Sequence, residues 1–286
     1  TGVQTCALPI SESGNLTAQS ISAVLSPRTR AVICVHLAGW PCDMDPIMEL
    51  ATQSGLKVVE DCAQAHGAKY KGRSVGSIGH IGAWSFCQDK IMTTGGEGGM
   101  VTTNDELLWR AMWAYKDHGK SYQAVYERDH PSGFRWLHES FGSNWRMLEI
   151  QAAIGRVQLG KISEWSRKRS ENSLRLDSGL VEHFEQSDIL RLPRWGCQSG
   201  CRQVKTNDMC LKQCRHARYK YYMYVRPDRL ADGWSRDRIV DEVSARGVPC
   251  YQGTCSEVYL ERAFDEKDWR PSKPLPVARE LGETSL

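Results

Sequence analysis

The chain alternates between short apolar runs and longer stretches in which apolar residues recur at helical spacing. Residues 31–37, 56–62 and 81–86 are apolar, β-prone runs of the kind that form buried strands. Residues 43–54 lie between the first two runs and carry apolar positions three and four apart, which predicts a helix. A strand, a helix and a strand at this spacing form a βαβ unit, which implies a right-handed crossover.

The same alternation continues through the middle of the chain. Residues 99–103 predict another short strand, and residues 105–115 predict a helix that begins at an Asn or Asp cap. The polar, aromatic stretch 116–143 is long for a connection, which is typical of a functional or interfacial loop. Residues 146–162 carry a helical apolar stripe, and residues 163–184 continue as a charged helix.

The last part of the chain predicts a second, smaller α+β unit. A strand is predicted at 218–226, a helix at 235–246 and a further strand at 248–252. We place the domain boundary near Ser163. The predicted parts are a non-native start, a large domain and a small domain, at residues 1–10, 11–162 and 163–286.

Composition places the chain among ordinary globular proteins. It has 286 residues, of which 41% are hydrophobic and 25% charged, and a formal net charge of +3. That charge is too small to indicate a nucleic-acid partner, and no window approaches the ~20 apolar residues of a membrane helix. No signal peptide is recognisable. The 11 cysteines, an odd number, are mostly scattered and favour free thiols in a reducing cytoplasm.

One lysine stands at a position suited to covalent chemistry. Lys90 follows the run 81–86 and precedes a cluster of glycines at 95, 96, 98 and 99. An amine at a strand end can form a Schiff base with a carbonyl cofactor. A solvated surface lysine beside ordinary turns is the alternative from these residues alone. Asp61, at the end of another predicted strand, either binds a ligand there or caps a following helix.

Five motifs in a particular order carry a resemblance to a known family. They are EDCAQAHGA at 60–68, SFCQDK at 85–90, GGEGGMVTT at 95–103, HG at 118–119 and GSNWRMLEIQAAIGRVQL at 142–159. Together they resemble the DegT/DnrJ group of nucleotide-sugar aminotransferases, which are pyridoxal-phosphate (PLP) enzymes of the aspartate-aminotransferase fold. The resemblance is good over 31–192 and moderate over 219–286. It implies an α/β chain of fold type I, with a mixed, mostly parallel sheet, flanking helices and a small C-terminal α+β domain.

The resemblance also implies roles for individual residues. Lys90 would form the Schiff base and carry a proton, and Asp61 would keep the pyridine nitrogen of PLP protonated. Gln64 would sit near the ring and its 3-hydroxyl, and Ser85 would bind the phosphate. Asn144 would reach the phosphate of a neighbouring subunit, which implies an obligate homodimer with shared active sites. The alternatives for the last three are a solvated amide, a strand residue satisfied by backbone, and a helix cap.

The function implied by the resemblance is transfer of an amino group, expected from glutamate, to a keto carbon of a nucleotide-linked sugar. Such a cytoplasmic enzyme would serve amino-sugar, cell-surface polysaccharide or antibiotic-sugar biosynthesis. Some relatives dehydrate a deoxysugar and carry histidine in place of the lysine, so Lys90 argues against that reaction. An inactive or regulatory relative without catalysis is the alternative. A Rossmann oxidoreductase is disfavoured, because GGEGG does not match G-x-G-x-x-G and opens no helix.

Further expectations concern the ends of the chain, its cysteines and its histidines. Residues 1–10 resemble no native start, and a chain truncated at both ends is expected to bind PLP weakly for want of phosphate donors. Four cysteines have a spacing that is uncommon for zinc, so no metal is expected: Cys197, Cys201, Cys210 and Cys214. Three histidines are weaker candidates for the substrate cleft: His36, His66 and His118.

Overall fold

The protein is described from a computed structural model. The described residues are 13–133, 135–184, 188–192, 213–253, 257–265 and 270–286. The expectation of a non-native start at residues 1–10 therefore lies outside the described residues, as do three of the four cysteines considered for zinc.

Helices and strands follow each other in a mixed order along the chain. The α-helices are α1 (Ala18–Ser22), α2 (Met44–Gln53), α3 (Glu106–Lys116), α4 (Tyr122–Tyr126), α5 (Glu149–Leu159), α6 (Ile162–Phe184), α7 (Arg236–Ala245) and α8 (Pro276–Thr284). The strands are β1 (Ala31–Val35), β2 (Lys57–Asp61), β3 (Lys69–Tyr70), β4 (Arg73–Ser74), β5 (Ile81–Ser85), β6 (Gly99–Thr102), β7 (Leu190–Arg191) and β8 (Tyr224–Val225). Short 3₁₀ turns lie at Leu37–Gly39, Pro227–Arg229, Val258–Leu260 and Arg262–Phe264.

The main sheet has the strand order β1-β2-β5-β6. β1, β2 and β5 run parallel, with Val35 beside Asp61 and Asp61 beside Ala83. β6 runs antiparallel to β5 at one edge. Helix α2 connects β1 to β2, so the predicted βαβ order is confirmed. The observed architecture is thus the mixed, mostly parallel sheet with flanking helices that the sequence predicted.

A buried carboxylate lies in the second strand of this sheet. Glu60 is fully buried, and its oxygens accept hydrogen bonds of 2.6–2.8 Å from the backbone N–H groups of Gly76, Ile78 and Gly79. His36 Nε2 donates a fourth bond at 3.0 Å. Burial raises the pKa of Glu60, but the bonds from His36 and the backbone outweigh it and lower the pKa below its ordinary value. The carboxylate thereby fixes the turn that leads into β5.

The same turn requires a glycine. Gly76 has a φ of +77°, in the left-handed region that residues with a Cβ rarely adopt. A Cβ there would lie 2.5 Å from the Trp84 ring, which is much closer than van der Waals contact. Any larger residue at this position would therefore push the turn away from β5 and weaken its bonds to Glu60.

Two hydrophobic clusters form the core of the described part of the chain. The larger one packs α1 and α2 against β1 and β2, and includes the buried side chains of Met44, Ile47 and Val58. The smaller one lies around the turn that follows β2 and includes Cys62 and Ile91. Because Ile91 belongs to this cluster, the segment that carries Lys90 is anchored in the core at its next residue.

Part of the apolar stripe predicted for residues 146–162 faces solvent in the single chain, whereas Met147 and Ile154 are half-buried. Ile150, Val157 and Leu159 are 61–68% exposed, and Gly155 is the buried residue of α5. The stripe lies on α5, which is separated from α6 at Gly160, close to the predicted end of the helix. An exposed apolar strip of this kind is typical of an interaction surface.

The strand predicted at 218–226 is wrong over most of its length. Only Tyr224–Val225 forms a strand, β8, which pairs with β7. Arg218 has a φ of +54°, which interrupts extended pairing at that point. The residues before β8 form hydrogen bonds to the turn after β1 instead, since the Tyr219 N–H donates to the Ala38 carbonyl at 3.0 Å. Long-range contacts therefore override the alternating pattern of this segment.

The prediction for residues 235–252 is half right. Helix α7 confirms the predicted helix, with the Ser235 side chain capping the Arg238 N–H and Gly247 following at a φ of +79°. The strand predicted at 248–252 is wrong, because these residues pair with no strand in the described part of the chain. The next residue, Gly253, instead donates its N–H to the Ser285 carbonyl.

Two further expectations can be compared with the described residues. No helix in these ranges is long and apolar enough to cross a bilayer. The cysteines that the structure describes form no disulfide with one another. The boundary between 11–162 and 163–286 lies near the break between α5 and α6, and it stays a prediction.

We expect Glu60→Gln to destabilise the fold strongly. An amide would turn its NH₂ group toward backbone N–H donors, so that at least one buried donor loses its acceptor. The expected loss is about 3–5 kcal/mol in the free energy of unfolding at pH 7, measured by urea denaturation. The control is Glu49→Gln on the exposed side of α2, which should change the free energy by less than about 0.5 kcal/mol.

The lowered pKa of Glu60 sets the sign of its pH dependence. Its contribution to stability is fully present above pH 4.5, the ordinary pKa of a glutamate, and is lost as the pH falls through the lower folded value. The parent and Glu60→Gln should therefore become similar in their free energy of unfolding only at acid pH. If their free energies of unfolding are already similar at pH 7, the structural role assigned to Glu60 is wrong.

Candidate active site

The carboxyl ends of β2 and β5 bring three of the predicted residues to one edge of the sheet. Asp61 is the last residue of β2 and pairs with Ala83, and Ser85 ends β5 two residues further on. The chain then turns toward Lys90, whose N–H donates to the Cys87 carbonyl at 3.1 Å. In open α/β sheets, ligands bind at this edge.

Lys90 is held by two side chains. Its Nζ donates to Tyr219 Oη at 3.2 Å and lies 3.4 Å from Asp89 Oδ1. Tyr219 Oη donates in turn to Asp89 Oδ2 at 2.6 Å. Burial lowers the pKa of Lys90, but the bond to Tyr219 and the charge of Asp89 outweigh it and raise the pKa above its ordinary value. The amine therefore rests in a contact that favours its charged form.

Asp61 uses one of its carboxylate oxygens within the chain. Its Oδ1 accepts the Ala63 N–H at 3.0 Å in a local turn. No helix begins there, so the alternative of a helix cap is wrong. Within the described residues Oδ2 accepts no hydrogen bond, and the half-buried side chain can offer that oxygen to a ligand.

Gln64 connects the ends of β1 and β2. Its Oε1 accepts the Ala38 N–H at 2.7 Å. Ala38 has a φ of +56°, a strained value for a residue with a Cβ, so the amide stabilises the turn after β1. The alternative of a solvated amide is therefore wrong for the Oε1 end of this side chain.

The alternative for Ser85, a strand residue whose side chain is satisfied by backbone, is correct in part. Its Oγ accepts the Cys87 N–H at 3.3 Å, as expected of a strand residue bonded to backbone. The bond uses a lone pair of the oxygen and leaves the hydroxyl hydrogen able to donate. Ser85 can thus serve the local turn and an acceptor in a ligand together.

Asn144 is presented to solvent ahead of α5. Its side chain is exposed, and its backbone forms an isolated antiparallel β-bridge with Asp117. Its Oδ1 accepts a hydrogen bond from Arg146 Nε at 3.1 Å. Helix α5 begins at Glu149, so the alternative that Asn144 caps this helix is wrong. Within the described residues, its hydrogen bonds do not involve the other four predicted site residues.

His66 is a buried residue of the site that the sequence indicated only weakly. Its ring is 2% exposed and lies 5.4 Å from the Trp84 ring and 5.9 Å from the Phe86 ring. Neither ring nitrogen has a hydrogen-bond partner within the described residues. Burial lowers the pKa of His66 to about 4, the charge of Lys90 acts in the same direction, and the Ser85 backbone opposes both.

Sequence reasoning missed Tyr219 and Asp89. Tyr219 lies 129 residues from Lys90 in the chain, within a segment whose pattern indicated only a strand. No local signal could have connected the two residues. Asp89 did carry a signal, because an acidic neighbour of a candidate lysine is a natural partner for its amine.

Among the described residues, one group of side chains has the chemistry of metal ligands. The ligand atoms of His36, Glu60 and Cys62 all lie within 4.8 Å of one another. Both oxygens of Glu60 and both nitrogens of His36 already take part in protein hydrogen bonds. Burial, with the nearby carboxylates, raises the pKa of the Cys62 thiol, which disfavours a thiolate ligand. We assign the group to structural hydrogen bonding, which also removes His36 from the substrate-cleft candidates.

Comparison with known proteins decides the family. The model of the DegT/DnrJ/EryC1/StrS aminotransferase family matches residues 2–283. The chain belongs to this family. The resemblance carried by the five sequence motifs is therefore confirmed, and with it the predicted fold type, which the chain shares with a solved aminotransferase.

Proteins similar to this chain include a solved structure and two curated relatives. The aminotransferase from Psychrobacter cryohalolentis is 57% identical with a TM-score of 0.88, and the match covers 98% of this chain and 68% of that one. The GDP-perosamine synthase of Escherichia coli O157:H7 is 40% identical over 182 residues, 62% of this chain and 47% of the relative. That of Caulobacter vibrioides is 36% identical over 236 residues, 82% and 54% respectively. The chain thus spans about half the length of the curated relatives it matches.

The buried ring of His66 should make stability depend on pH. In the unfolded chain the ring takes up a proton near pH 6.5, whereas in the folded protein it does so near pH 4. The free energy of unfolding should therefore fall by up to about 3 kcal/mol as the pH drops through this window. His66→Phe, which removes no hydrogen bond of the ring, should abolish this slope, and His183→Gln at the exposed end of α6 should leave it. If the free energy of unfolding of His66→Phe depends on pH as that of the parent does, the pH dependence does not come from His66.

Proposed function

We propose that this member of the DegT/DnrJ/EryC1/StrS family is a PLP-dependent aminotransferase. It transfers an amino group from glutamate to a keto carbon of a nucleotide-linked sugar. The observation that carries the proposal is the placement of Asp61 and Ser85 at the carboxyl ends of two neighbouring parallel strands, with Lys90 in the turn that follows the second strand. Two relatives are named GDP-perosamine synthase, which supports a nucleotide sugar as the substrate class.

The side chains at this edge fit PLP, which carries an aldehyde, a basic ring nitrogen and a phosphate. Lys90 offers the amine, Asp61 an oxygen that accepts no hydrogen bond within the described residues, and Ser85 a hydroxyl hydrogen. The imidazole of His66, buried without a hydrogen bond in the described part of the chain, adds an unused polar group beside them. We therefore assign Lys90, Asp61 and Ser85 to the binding of PLP, and we place Gln64 near the cofactor ring on the strength of the family resemblance.

Each of these residues has a definite task in the proposed reaction. Bound PLP supplies a sink for the electrons left when a proton leaves the substrate carbon. Lys90 holds the cofactor and then takes up and returns that proton, for which its amine must first be uncharged. Asp61 supplies the negative charge that keeps a ring nitrogen protonated. Ser85 donates to the phosphate, and Gln64 keeps the turn after β1 against the end of β2.

A homodimer with shared active sites is part of the proposal. Asn144 is exposed, and the apolar side chains that follow it, Trp145, Leu148 and Ile150, are 63–68% exposed. Apolar residues next to an exposed polar side chain are typical of an interface. We infer that this stretch packs against a second copy, so that Asn144 reaches the cofactor phosphate of the neighbouring subunit.

The proposed setting is amino-sugar, cell-surface polysaccharide or antibiotic-sugar biosynthesis in the cytoplasm. Thiols that form no disulfide among the described cysteines suit a reducing compartment. A regulatory relative that binds PLP without turnover is the alternative, and it differs from the proposal in one measurable way. The proposed enzyme consumes glutamate when it is given a nucleotide-linked keto sugar, whereas the regulatory relative does not.

Lys90→Ala should abolish transamination and the visible absorbance of the PLP-loaded protein, because the amine that holds the cofactor is gone. In the parent, borohydride reduction followed by peptide mass mapping should locate the cofactor on Lys90. The control is Lys57→Ala at the exposed start of β2, which should keep both activity and absorbance. A Lys90→Ala protein that retains the visible band would exclude Lys90 from this role.

Two inactive variants should restore each other's activity if the active site is shared. Lys90→Ala and Asn144→Ala subunits are unfolded together, refolded and assayed for transamination. A mixed dimer then has one site with both changes and one site with neither, so about a quarter of parental activity should return. Refolding each variant alone is the control. If the mixture is no more active than its components, Lys90 and Asn144 do not belong to sites that span two subunits.

A further inference from the structure

The Lys90 amine is enclosed by a hydrogen-bonded tyrosine and aspartate. Lys90 Nζ lies 3.2 Å from Tyr219 Oη, 3.4 Å from Asp89 Oδ1 and 4.9 Å from the centre of the Tyr219 ring. The Lys90 side chain is 16% exposed, whereas that of Asp89 is 58% exposed. The tyrosine therefore covers the amine from the protein side, and the aspartate covers it from the solvent side.

Backbone bonds hold Tyr219 in place. Its N–H donates to the Ala38 carbonyl at 3.0 Å, and the Ala217 N–H donates to the Gly39 carbonyl at 2.9 Å. Arg169 of α6 donates to the carbonyl that precedes Tyr219 at 3.0 Å. The segment is thus bonded both to the turn after β1 and to the long helix α6. These bonds fix the backbone of Tyr219 beside Lys90, although the residue lies outside the helices and strands.

The directions of the hydrogen bonds make this contact selective for a charged amine. Tyr219 donates its hydroxyl hydrogen to Asp89 at 2.6 Å, so that only oxygen lone pairs are left to face Lys90. A carboxylate, a lone pair and the negative face of an aromatic ring all favour an ammonium over an uncharged amine. Other charged or titratable side chains nearby are His66, Arg169 of α6, and Lys220, which follows Tyr219 in the chain. Arg169 and Lys220 are cationic, whereas Asp89 is a carboxylate in direct contact with the Lys90 amine. Asp61 is a further carboxylate at the same edge of the sheet.

We propose that Tyr219 is a positioning residue for Lys90: together with Asp89 it holds the amine at the carboxyl edge of the sheet and stabilises it while it carries a proton. The inference rests on the proposed role of Lys90 as the amine that binds PLP. While the Lys90 amine is free of the cofactor, these contacts keep it at the site. When it has taken a proton from the substrate carbon, Tyr219 and Asp89 stabilise its positive charge.

Competitive labelling of the cofactor-free protein tests this proposal. The protein is treated with trace acetic anhydride at pH values from neutral to strongly alkaline, and acetylation of the Lys90 peptide is measured by mass spectrometry. The midpoint of this profile reports the pKa of Lys90 and does not depend on how accessible the amine is. In Tyr219→Phe, which keeps the ring but loses the hydroxyl, the midpoint should fall by about one pH unit, so that Lys90 reacts up to about tenfold faster at pH 8.

A second tyrosine provides a matched control. The hydroxyl of Tyr221, two residues further on and also half-buried, donates to Asp177 of α6. Tyr221→Phe removes the same kind of bond from the same segment without touching Lys90, so it should leave the Lys90 midpoint unchanged. Asp89→Asn, at a largely exposed position, should lower the midpoint in the same direction as Tyr219→Phe and covers the case in which Tyr219→Phe does not fold.

The outcomes separate this proposal from the proposed function. A parental midpoint in Asp89→Asn, or in a folded Tyr219→Phe, would overturn the positioning role, and so would an equal shift in Tyr221→Phe, because that would indicate general loosening. None of these measurements needs PLP. Failure of the labelling test therefore leaves the proposed role of Lys90 in binding the cofactor unaffected. Conversely, a Lys90→Ala protein that retains the cofactor would exclude that role but would not affect the contact of Lys90 with Tyr219 and Asp89.

Discussion

The rest of the structure depends on the buried carboxylate of Glu60. Its four hydrogen bonds, from three backbone N–H groups and from His36, join the second strand of the sheet to the turn at 76–79. That turn delivers the chain into β5, and β5 ends at Ser85 and leads to Lys90. A buried carboxylate without these donors would be very costly, so β2 and the turn can form only together. The position of Lys90, for which we propose a catalytic role, therefore depends on these structural hydrogen bonds of Glu60.

The neighbouring residues Glu60 and Asp61 show how one strand supplies two kinds of carboxylate. Successive side chains of a strand point to opposite faces of the sheet, so the first is buried and the second reaches the edge. Glu60 has its oxygens fully bonded and its pKa lowered, which makes it a structural anion. Within the described residues, Asp61 accepts one hydrogen bond, from the turn that follows it, so its second oxygen is available to the ligand that we propose. Hydrogen-bond saturation, more than burial alone, separates the structural carboxylate from the one with a proposed role in binding.

The candidate site is assembled from segments that are far apart in the chain. The turn after β1 is held by Gln64, and the same turn accepts the backbone of the segment that carries Tyr219. Helix α6 bonds to that segment through Arg169. As a result, Tyr219, the partner of Lys90, is positioned by hydrogen bonds both to α6 and to the turn after β1. A change in α6 near Arg169 would therefore alter the contact between Tyr219 and Lys90 without any movement of the sheet.

The amino-acid sequence by itself determined the parallel strands, the helices with local caps such as Asp105 and Ser235, the family, and the lysine that follows β5. These features depend on local periodicity and on short motifs, which a linear chain displays directly. The tertiary structure decided what the sequence could not: that Tyr219 meets Lys90 across 129 residues, that Gln64 supports a turn, and that most of 218–226 is not a strand. The physical reason is that these outcomes are set by hydrogen bonds between distant segments, which override local preference once the chain is folded.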